Sequence, residues 1–226
     1  MDSPAAFTEF ISRPLYSYAE ADHLAGVTRG TARRWLAGYD YRAANGSAAH
    51  QPPVSPRTEE SEAVSFVDLV EVVAIGGLKR EGFSLKAIRQ IVSNCQEIFQ
   101  IERPLITLRF KVGGREVFVQ SETALVEVGR RKREQAWDEI LGPFLESLDY
   151  RFDLVSRWWP RGREANVVID PEYSFGLPVI EGSGVRTEII VERFKAGDSC
   201  QEIAKDFSLT ATDVERALQF EVALAA

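Results

Sequence analysis

The sequence has 226 residues, of which 45% are apolar and 27% charged. These fractions are close to those of ordinary globular proteins and exclude a chain that is disordered throughout, while the length suits one large domain or two small ones. The longest run of apolar and glycine residues, 72–78, is far shorter than the roughly 18 residues that a membrane-spanning helix needs. Because the first twenty residues contain no apolar secretory signal, we expect a cytoplasmic protein without membrane association.

The cysteines, the histidines and the net charge argue against several classes of function. The two cysteines and two histidines are far apart in the sequence, so we expect neither a metal site nor a cofactor. The sequence contains neither a phosphate-binding glycine loop nor a nucleophile elbow, which argues against an enzyme. The formal net charge is -7, so any binding to nucleic acid has to depend on a local basic surface.

A local basic surface follows from a pair of predicted helices near the N-terminus. Ser17 and Glu20 have the spacing of a capping box, which predicts the start of a helix, and Gly26 is expected to end it. A second helix is predicted from Thr28 to Gly38, with apolar residues on one face and arginines on another. Such a pair is typical of a DNA-binding helix-turn-helix. The residues predicted to contact DNA are Thr28, Arg29, Arg33, Arg34 and Arg42.

The chain then turns from polar to apolar. Residues 50–56 are rich in proline and polar residues and are predicted to form a loop or a small wing. Two apolar helices follow, one over residues 66–75 that ends or bends at Gly76-Gly77, and one over residues 85–99 that Ser84 caps. Both are predicted to build the core, and one of them is a candidate homodimer interface, since paired DNA half-sites require two copies.

The middle of the chain is predicted to contain β-structure. Apolar and polar residues alternate over 106–112, and Gly113-Gly114 tolerates the positive φ angles of a tight turn, so residues 106–120 are predicted to form a hairpin. The basic run 130–133 is interpreted as the solvated face of an amphipathic helix. Alternation over residues 150–154 predicts a further strand that ends at Trp158-Trp159-Pro160.

The last forty residues contain a second helix pair. Ser199 and Glu202 repeat the capping-box spacing, and Thr210 lies eleven residues after Ser199, just as Thr28 lies eleven residues after Ser17. Four basic and eight acidic side chains occur in these last forty residues. Because this charge disfavours the approach of a phosphate backbone, the second pair is predicted to bind protein rather than DNA.

Two family resemblances rest on these segments. Residues 16–35, together with the two apolar helices, resemble the MerR-like winged helix-turn-helix domain. Residues 166–220 resemble domain of unknown function 433, a small helical domain found in bacterial antitoxins. The matching positions are Pro178-Val-Ile-x-Gly182, Gly197-x-Ser199, Glu202-Ile203, Phe207, Leu209-Thr210, Val214, Ala217-Leu218 and Phe220. The Thr-Arg pair that usually follows the loop glycine is replaced by Ser183-Gly184.

The two-part arrangement is similar to that of VapB-type antitoxins. The resemblance implies that the chain inhibits a VapC-type toxin, a PIN-domain ribonuclease with an acidic, magnesium-binding active site, and represses the shared operon by binding operator DNA. We therefore expect a mainly helical α+β fold. Its domains are predicted to be a MerR-like DNA-binding domain at residues 1–101, a connecting region of hairpin and helix at residues 102–165, and an antitoxin-type helical domain at residues 166–226.

The residues predicted to contact the toxin lie at the end of the connecting region. A cationic side chain inserted among metal-binding carboxylates displaces the magnesium that a nuclease needs to activate water. The candidates are Trp158, Trp159, Arg161 and Arg163. The alternative for these residues is that the tryptophans belong to the core and the arginines are merely exposed. The alternative for the chain is a free-standing MerR-like regulator in which Phe118, Tyr150 and Phe152 line a ligand pocket.

Overall fold

The computed structural model describes residues 3–42, 44, 46–54, 62–120 and 130–225. The chain forms two compact units: unit 1 consists of Met1–Glu146 and Tyr150–Val155, and unit 2 of Ser147–Asp149 and Ser156–Ala226. Helices predominate in both units, and the strands of the described residues form two-stranded sheets. The predicted mainly helical α+β class is therefore confirmed.

Unit 1 combines helices with two small sheets. Its first elements are α1 (Pro4–Ile11), β1 (Pro14–Ser17), α2 (Tyr18–Leu24), α3 (Thr31–Ala37), β2 (Tyr39–Arg42), β3 (Ala48–Gln51) and β4 (Ala63–Ser65). Strand β1 pairs with β4 and β2 pairs with β3, both antiparallel. The later elements are α4 (Phe66–Arg80), α5 (Leu85–Phe99), α6 (Leu108–Gln120), α7 (Arg130–Ala136), a π-helical stretch (Trp137–Leu141) and α8 (Gly142–Glu146).

Unit 2 ends in three helices. Before them come the paired strands β5 (Leu148–Arg151) and β6 (Leu154–Trp158), the first of which begins in unit 2, and the antiparallel pair β7 (Val167–Val168) and β8 (Val179–Ile180). The helices are α9 (Thr187–Lys195), α10 (Cys200–Phe207) and α11 (Ala211–Ala225). As predicted, Ser199 and Glu202 cap α10 reciprocally, and the Thr210 hydroxyl accepts from the Asp213 N–H to cap α11. Ile180, Ile190, Ile203, Val214 and Ala217 form the core between the helices.

Helix α4 lies in the core of unit 1, as its apolar sequence predicts. Ser65 and Asp68 form a capping box at its start, and twelve of its fifteen residues are buried. Gly76-Gly77 does not end this helix, which was one of the two predicted outcomes, because α4 continues to Arg80. A Cβ atom at Gly77 would lie 2.7 Å from Ile140 Cγ2, so this glycine permits close packing rather than a chain reversal.

Two buried carboxylates of α4 pair with one partly buried arginine. Nη1 of Arg103 lies 2.8 Å from an oxygen of Asp68 and 2.8 Å from an oxygen of Glu71. Burial acts to lower the pKa of Arg103, but the charges of Glu71 and Asp68 outweigh it and raise that pKa. The guanidinium thus remains charged and neutralises the acidic residues of an otherwise apolar helix.

The predicted hairpin over residues 106–120 is wrong, because residues 108–120 form helix α6. In a strand Phe110 and Val112 would share a face, yet Phe110 is buried whereas Val112 is 81% exposed. The ring of Phe110 contacts the ring of Trp137, and the Phe118 ring contacts those of Phe83 and Trp137. Burial of this aromatic cluster outweighs the alternating pattern and the two glycines.

The two glycines of α6 provide a matched test of this helix. A Cβ atom at Gly114 would lie 2.4 Å from the Phe110 ring, whereas one at Gly113 would lie 3.8 Å from Phe99. Gly114→Ala should therefore destabilise unit 1 by about 1–3 kcal/mol. Gly113→Ala should be neutral or stabilising by up to about 1 kcal/mol, because alanine favours a helix. Urea unfolding of both variants measures these changes, and equal destabilisation by both would contradict the helix.

The structure also differs from the predictions for residues 150–154 and 130–133. Residues 150–154 form a hairpin rather than one strand, because Phe152 and Asp153 adopt φ angles of 52° and 70° in the turn between β5 and β6. These residue types carry no hairpin-turn signal of the Asn-Gly kind. The basic run 130–133 is also not wholly solvated, because Arg133 is buried in α7 while Arg130 is exposed.

Candidate functional site

A buried carboxylate holds the turn between α2 and α3. Asp22, on the inner face of α2, is 3% exposed and accepts hydrogen bonds from the N–H groups of Gly30 at 2.5 Å and Ala32 at 2.7 Å. Because the first N–H groups of a helix have no partner within that helix, Asp22 caps α3 from the preceding helix. Gly30, with φ at 81°, supplies the left-handed backbone immediately before α3. One side chain therefore fixes where α3 begins.

The start of α3 differs from the prediction. The capping box of Ser17 and Glu20 begins α2 as predicted, but α3 starts at Thr31 rather than at Thr28. Thr28 belongs to the turn, where its carbonyl accepts from the Thr31 N–H at 3.0 Å and the two hydroxyls lie 2.9 Å apart. Arg29 also precedes the helix. The sequence predicted that this helix begins at Thr28, but Thr28 lies in the turn. The side chain that caps α3 is that of Asp22.

Helix α3 has a buried face and a basic face. Ala32, Trp35 and Leu36 are buried, as the sequence predicts, whereas Arg33 and Arg34 are exposed. The Arg33 side chain is 63% exposed, lies 3.7 Å from Glu62 and stands over the ring of Tyr18. At this exposure the Glu62 ion pair is weak, since surface pairs contribute roughly 0–1 kcal/mol. Arg33 is therefore free to exchange Glu62 for a phosphate or a base.

The hairpin β2–β3 forms a wing directly after α3. Gly38 is the single residue between α3 and β2, and Tyr39 pairs with Gln51 at the base of the hairpin. The rings of Tyr39 and Tyr41 are exposed and lie 6.0 Å apart, and Arg42 at the end of β2 is exposed too. The sequence predicted a loop or small wing at residues 50–56, but the wing occupies residues 39–51. Residues 52–54 form neither helix nor strand, as predicted, and residues 55 and 56 lie outside the described part of the chain.

The base of the wing is attached to the helical core. The Val54 N–H donates to the Trp35 carbonyl at 2.7 Å. From α5, Arg89 donates to the carbonyls of Pro52 and Pro53 at 2.6 and 3.0 Å. These bonds place the chain leaving β3 against both α3 and α5, so the wing and α3 present their basic and aromatic groups from one framework. Thr28, Arg29, Arg33, Arg34 and Arg42 are all exposed on it.

Sequence patterns missed three features of this surface. Asp22 lies between the apolar residues Ala21 and Leu24, and an isolated acid on a buried helix face is a signal for a backbone cap. Tyr39 and Tyr41 flank Asp40 with the period of a strand, which would have indicated β2. Arg89 gave no signal, because its partners are backbone carbonyls 36 and 37 residues away.

The residues predicted to contact a toxin fall into two classes. Trp158 and Trp159 are buried in unit 2, at 5% and 6% exposure, whereas Arg161 and Arg163 are exposed. The Trp159 indole N–H donates to Asp149 at 3.0 Å, and the Arg163 guanidinium stacks on the Trp159 ring and contacts Asp149 at 2.5 Å. Burial acts to raise the pKa of Asp149, but the bonds from Arg163 and Trp159 outweigh it and hold that pKa below its usual range.

The aromatic residues considered for a ligand pocket lie in different surroundings. Phe118 belongs to the buried cluster with Trp137, and Phe152 packs edge-on against Phe7. The Tyr150 hydroxyl donates to the Leu145 carbonyl at 3.4 Å. Phe118 is buried, whereas Phe152 is 42% exposed, so the three residues do not share one environment.

The described residues contain no group of three or more histidine, cysteine, aspartate or glutamate side chains placed to hold a metal ion. Cys95 is buried in α5, and burial raises the pKa of its thiol to about 12. A thiol with so high a pKa is not a nucleophile at neutral pH. In addition, no helix within the described ranges has the length and apolar character needed to span a bilayer.

Two family models match the segments on which the two resemblances rest. Residues 14–92 match the family model described as "Putative DNA-binding HTH domain", and residues 167–220 match "Protein of unknown function (DUF433)". A Mycobacterium tuberculosis protein named "Putative antitoxin VapB45" is 29% identical over 91% of this chain and 92% of its own. The predicted resemblance to VapB-type antitoxins is confirmed. The MerR-like character of the first domain stays a prediction, because the matching model is described only by its helix-turn-helix.

Two further M. tuberculosis proteins are similar to this chain over nearly its whole length. "Uncharacterized protein Rv2308" of M. tuberculosis is 22% identical over 97% of this chain and 95% of its own. The crystal structure of Rv2018 from the same organism has a TM-score of 0.69 and 24% identity, covering 91% of this chain and 98% of that one. This likeness confirms the fold alone. Together with the helix-turn-helix match, the VapB-type relative points to a regulator rather than an enzyme.

Proposed function

We propose that this protein is an antitoxin that binds and inhibits a PIN-domain, VapC-type ribonuclease and represses its own operon by binding operator DNA. In this proposal residues 1–101 form the DNA-binding domain and residues 166–226 form the antitoxin-type domain. Residues 102–165 connect these two domains. The observation that carries the DNA-binding part is the geometry of α3, whose buried face and Asp22 cap orient Arg33 and Arg34 outward beside a wing. The name of the VapB-type relative supports the antitoxin part.

The basic surface of α3 suits a DNA groove. Guanidinium groups pair with guanine edges through two hydrogen bonds or clamp phosphate oxygens. Arg29 in the turn and Arg33 and Arg34 on α3 are proposed to contact DNA as the helix enters the major groove, and Thr28 to contact a phosphate. Arg42 at the end of β2 is proposed to contact the flanking backbone from the wing. In a protein of net charge -7, these arginines supply the local attraction that a polyanion requires.

Alanine variants of α3 test this surface. Arg33→Ala is expected to weaken operator binding by about 1–3 kcal/mol if the arginine contacts a base, or to flatten the salt dependence if it contacts phosphate. The measurement is fluorescence anisotropy with the DNA upstream of the gene at several salt concentrations. Arg13→Ala is the matched control, because Arg13 is an exposed arginine that pairs with Glu9 at the end of α1. Unchanged affinity for the Arg29, Arg33 and Arg34 variants would contradict the proposal.

Inhibition of the ribonuclease is assigned to the segment after β6. Asp149 and Trp159 hold the Arg163 side chain, and the Gly162 N–H donates to the Trp159 carbonyl at 3.0 Å, so this turn has a defined shape. Arg161 is exposed at the tip of the same turn. We propose that Arg161 and Arg163 contact the acidic active site of the toxin, and that Trp158 and Trp159 support them from the core rather than entering the interface.

A double variant tests the role of these arginines. Arg161→Ala with Arg163→Ala is expected to reduce inhibition of the ribonuclease by at least about tenfold, since loss of a charge-assisted contact in an interface costs roughly 2 kcal/mol or more. The assay is RNA cleavage by the product of the neighbouring gene, titrated with antitoxin. Arg186→Ala, an exposed arginine of unit 2 beside Glu188, is the control. Full inhibition by the double variant would remove both arginines from the mechanism.

We further propose that the protein acts in the cytoplasm as a homodimer. Paired half-sites in an operator require two copies of a helix-turn-helix related by a two-fold axis. Helix α5 is the proposed interface. Most of its other apolar side chains form a face buried in unit 1, whereas the side chain of Ile98 is exposed and free to pack against a second copy. Sedimentation equilibrium of the wild type and of Ile98→Glu measures this directly.

A further inference from the structure

Unit 2 contains a cavity beside the loop that carries its family motif. The cavity has a volume of about 230 Å³ and is lined by Arg157, Val168, Asp170, Tyr173, Val179, Glu181 and residues 182–184. Val179, Glu181 and Gly182 belong to the segment Pro178-Val-Ile-x-Gly182, which matches domain 433. This loop contains none of the residues that are proposed to contact DNA, and neither Arg161 nor Arg163. The family motif and the cavity therefore lie on a part of unit 2 to which the proposed function assigns no role.

The charges in the cavity do not balance. Asp170 is buried, and its carboxylate lies 2.7 Å from Nε of Arg157 and accepts from the Glu172 N–H at 2.8 Å. The second contact of Arg157 is loose, since its Nη1 lies 3.8 Å from Glu181. Glu181 also lines the cavity, and its side chain is 42% exposed. One guanidinium therefore lies near two carboxylates, and the more exposed of them, Glu181, is the more weakly paired.

One aromatic residue and two glycines lie at the rim of the cavity. Tyr173 lines the opening and is exposed, and the hydroxyl of Ser174 donates to the Gly184 carbonyl at 3.2 Å, which ties this segment to the glycine loop. A Cβ atom at Gly182 or Gly184 would meet nothing within 4 Å, so the rim stays open to an incoming group. An exposed tyrosine ring beside a carboxylate is a favourable environment for a cation.

Phe175 adds an exposed apolar ring to the segment that contributes Tyr173 to the cavity. It follows Tyr173 by two residues, and its side chain is 81% exposed, so that burying it against a partner would be favourable. Exposed aromatic residues are typical anchors of protein interfaces. A free small cation would leave this ring in water, whereas a protein surface laid over the rim covers it.

We propose that this cavity binds a basic side chain, arginine or lysine, of a partner polypeptide whose surface also covers Phe175. Glu181 pairs with the incoming cation, the Tyr173 ring packs against it, and the ion pair of the partly exposed Arg157 with the buried Asp170 completes the lining. Charge complementarity selects the occupant, because two carboxylates, Asp170 and Glu181, line the cavity against one guanidinium, that of Arg157. The inference rests on the proposed function in taking the ribonuclease as the partner, at a surface distinct from its active-site contact.

A small probe tests the cavity without any partner. The isotope-labelled full chain is titrated with N-acetyl-arginine amide, and the amide signals of residues 173 and 182–184 are followed by NMR. We expect saturable shifts that N-acetyl-citrulline amide, the neutral analogue, does not cause. Glu181→Gln should weaken binding roughly five- to tenfold, whereas Glu188→Gln, an exposed acid of α9, should not. Equal shifts with citrulline, or no effect of Glu181→Gln, would overturn the cation site.

The partner experiment separates this inference from the proposed function. Binding of the neighbouring ribonuclease to the full chain is measured by calorimetry for wild type, Phe175→Ala and Glu181→Gln. We expect at least about tenfold weaker binding for Phe175→Ala, with Val222→Ala, an exposed apolar residue of α11, as the unchanged control. If wild type binds and both variants match it, the docking surface is wrong and the antitoxin proposal stands. If wild type does not bind the ribonuclease, the antitoxin proposal fails, and the probe titration alone then decides the cation site.

Discussion

Replacing Asp22 with alanine is expected to destabilise unit 1 by about 2–4 kcal/mol and to abolish operator binding. The Asp22 carboxylate accepts from the N–H groups of Gly30 and Ala32, and its removal leaves two donors at the start of α3 without this acceptor in a buried place. Alanine also removes a negative charge from the positive end of the helix dipole. Since α3 carries Arg33 and Arg34, its loss of position removes the DNA surface as well.

Native-state hydrogen exchange of the full chain measures both the local and the overall effect of this change. In the wild type the Gly30 and Ala32 amides are expected to be protected, and in Asp22→Ala to exchange at rates close to those of an unfolded chain. Asp22→Asn, which keeps an acceptor oxygen without the charge, should give an intermediate loss. Glu20→Ala is the control for a helix cap that lies at the surface, with a cost of about 1 kcal/mol or less. Protection of both amides in Asp22→Ala would show that another group caps α3.

Replacing Arg103 with methionine is expected to destabilise unit 1 by about 3–5 kcal/mol. The variant keeps most of the volume of the side chain but removes the guanidinium that bridges Asp68 and Glu71 in the core. A buried carboxylate without its cation carries a large desolvation cost. The free energy of unfolding of unit 1 follows from the slowest-exchanging amides of α4.

The triple variant Arg103→Met, Asp68→Asn, Glu71→Gln separates lost charge neutralisation from lost packing. The amide oxygen of asparagine can still accept from the Ser65 N–H, as the Asp68 carboxylate does at 2.9 Å. We expect the triple variant to recover more than half of the lost stability, because no unneutralised carboxylate remains at the site. A cost below about 1 kcal/mol for Arg103→Met, or no recovery in the triple variant, would show that this ion pair network is not a main determinant of unit 1.

Local signals in the sequence predicted those elements that local interactions decide. The capping boxes at Ser17 and Ser199 and the cap at Ser84 are formed by residues three apart, so their pattern is complete within one helical turn. The buried face of α3 and the apolar helix α4 followed from periodicity for the same reason. The two domain-scale resemblances also rested on short motifs, and the family models match the same segments.

Packing between side chains decided what the sequence patterns did not predict. Gly77 was predicted to end or bend a helix and Gly114 to form a hairpin turn, but each lies inside a helix where Ile140 or the Phe110 ring leaves no room for a Cβ atom. The cap of α3 comes from Asp22, and the base of the wing is held by Arg89, more than thirty residues away. The burial of Trp158 and Trp159 likewise depends on packing within unit 2 that no local pattern shows.

The most direct test of the central claim compares two sets of charge-removing variants in the full chain. The first set replaces Arg29, Arg33 and Arg34 with alanine. The second set replaces Lys195, Lys205 and Arg216, which lie in the acidic C-terminal helices, with alanine. Affinity for the upstream DNA and for the neighbouring ribonuclease is measured for both. We expect the first set to lose DNA binding and keep the ribonuclease, and the second to retain DNA binding. Loss of DNA binding by the second set, with normal binding by the first, would contradict the account.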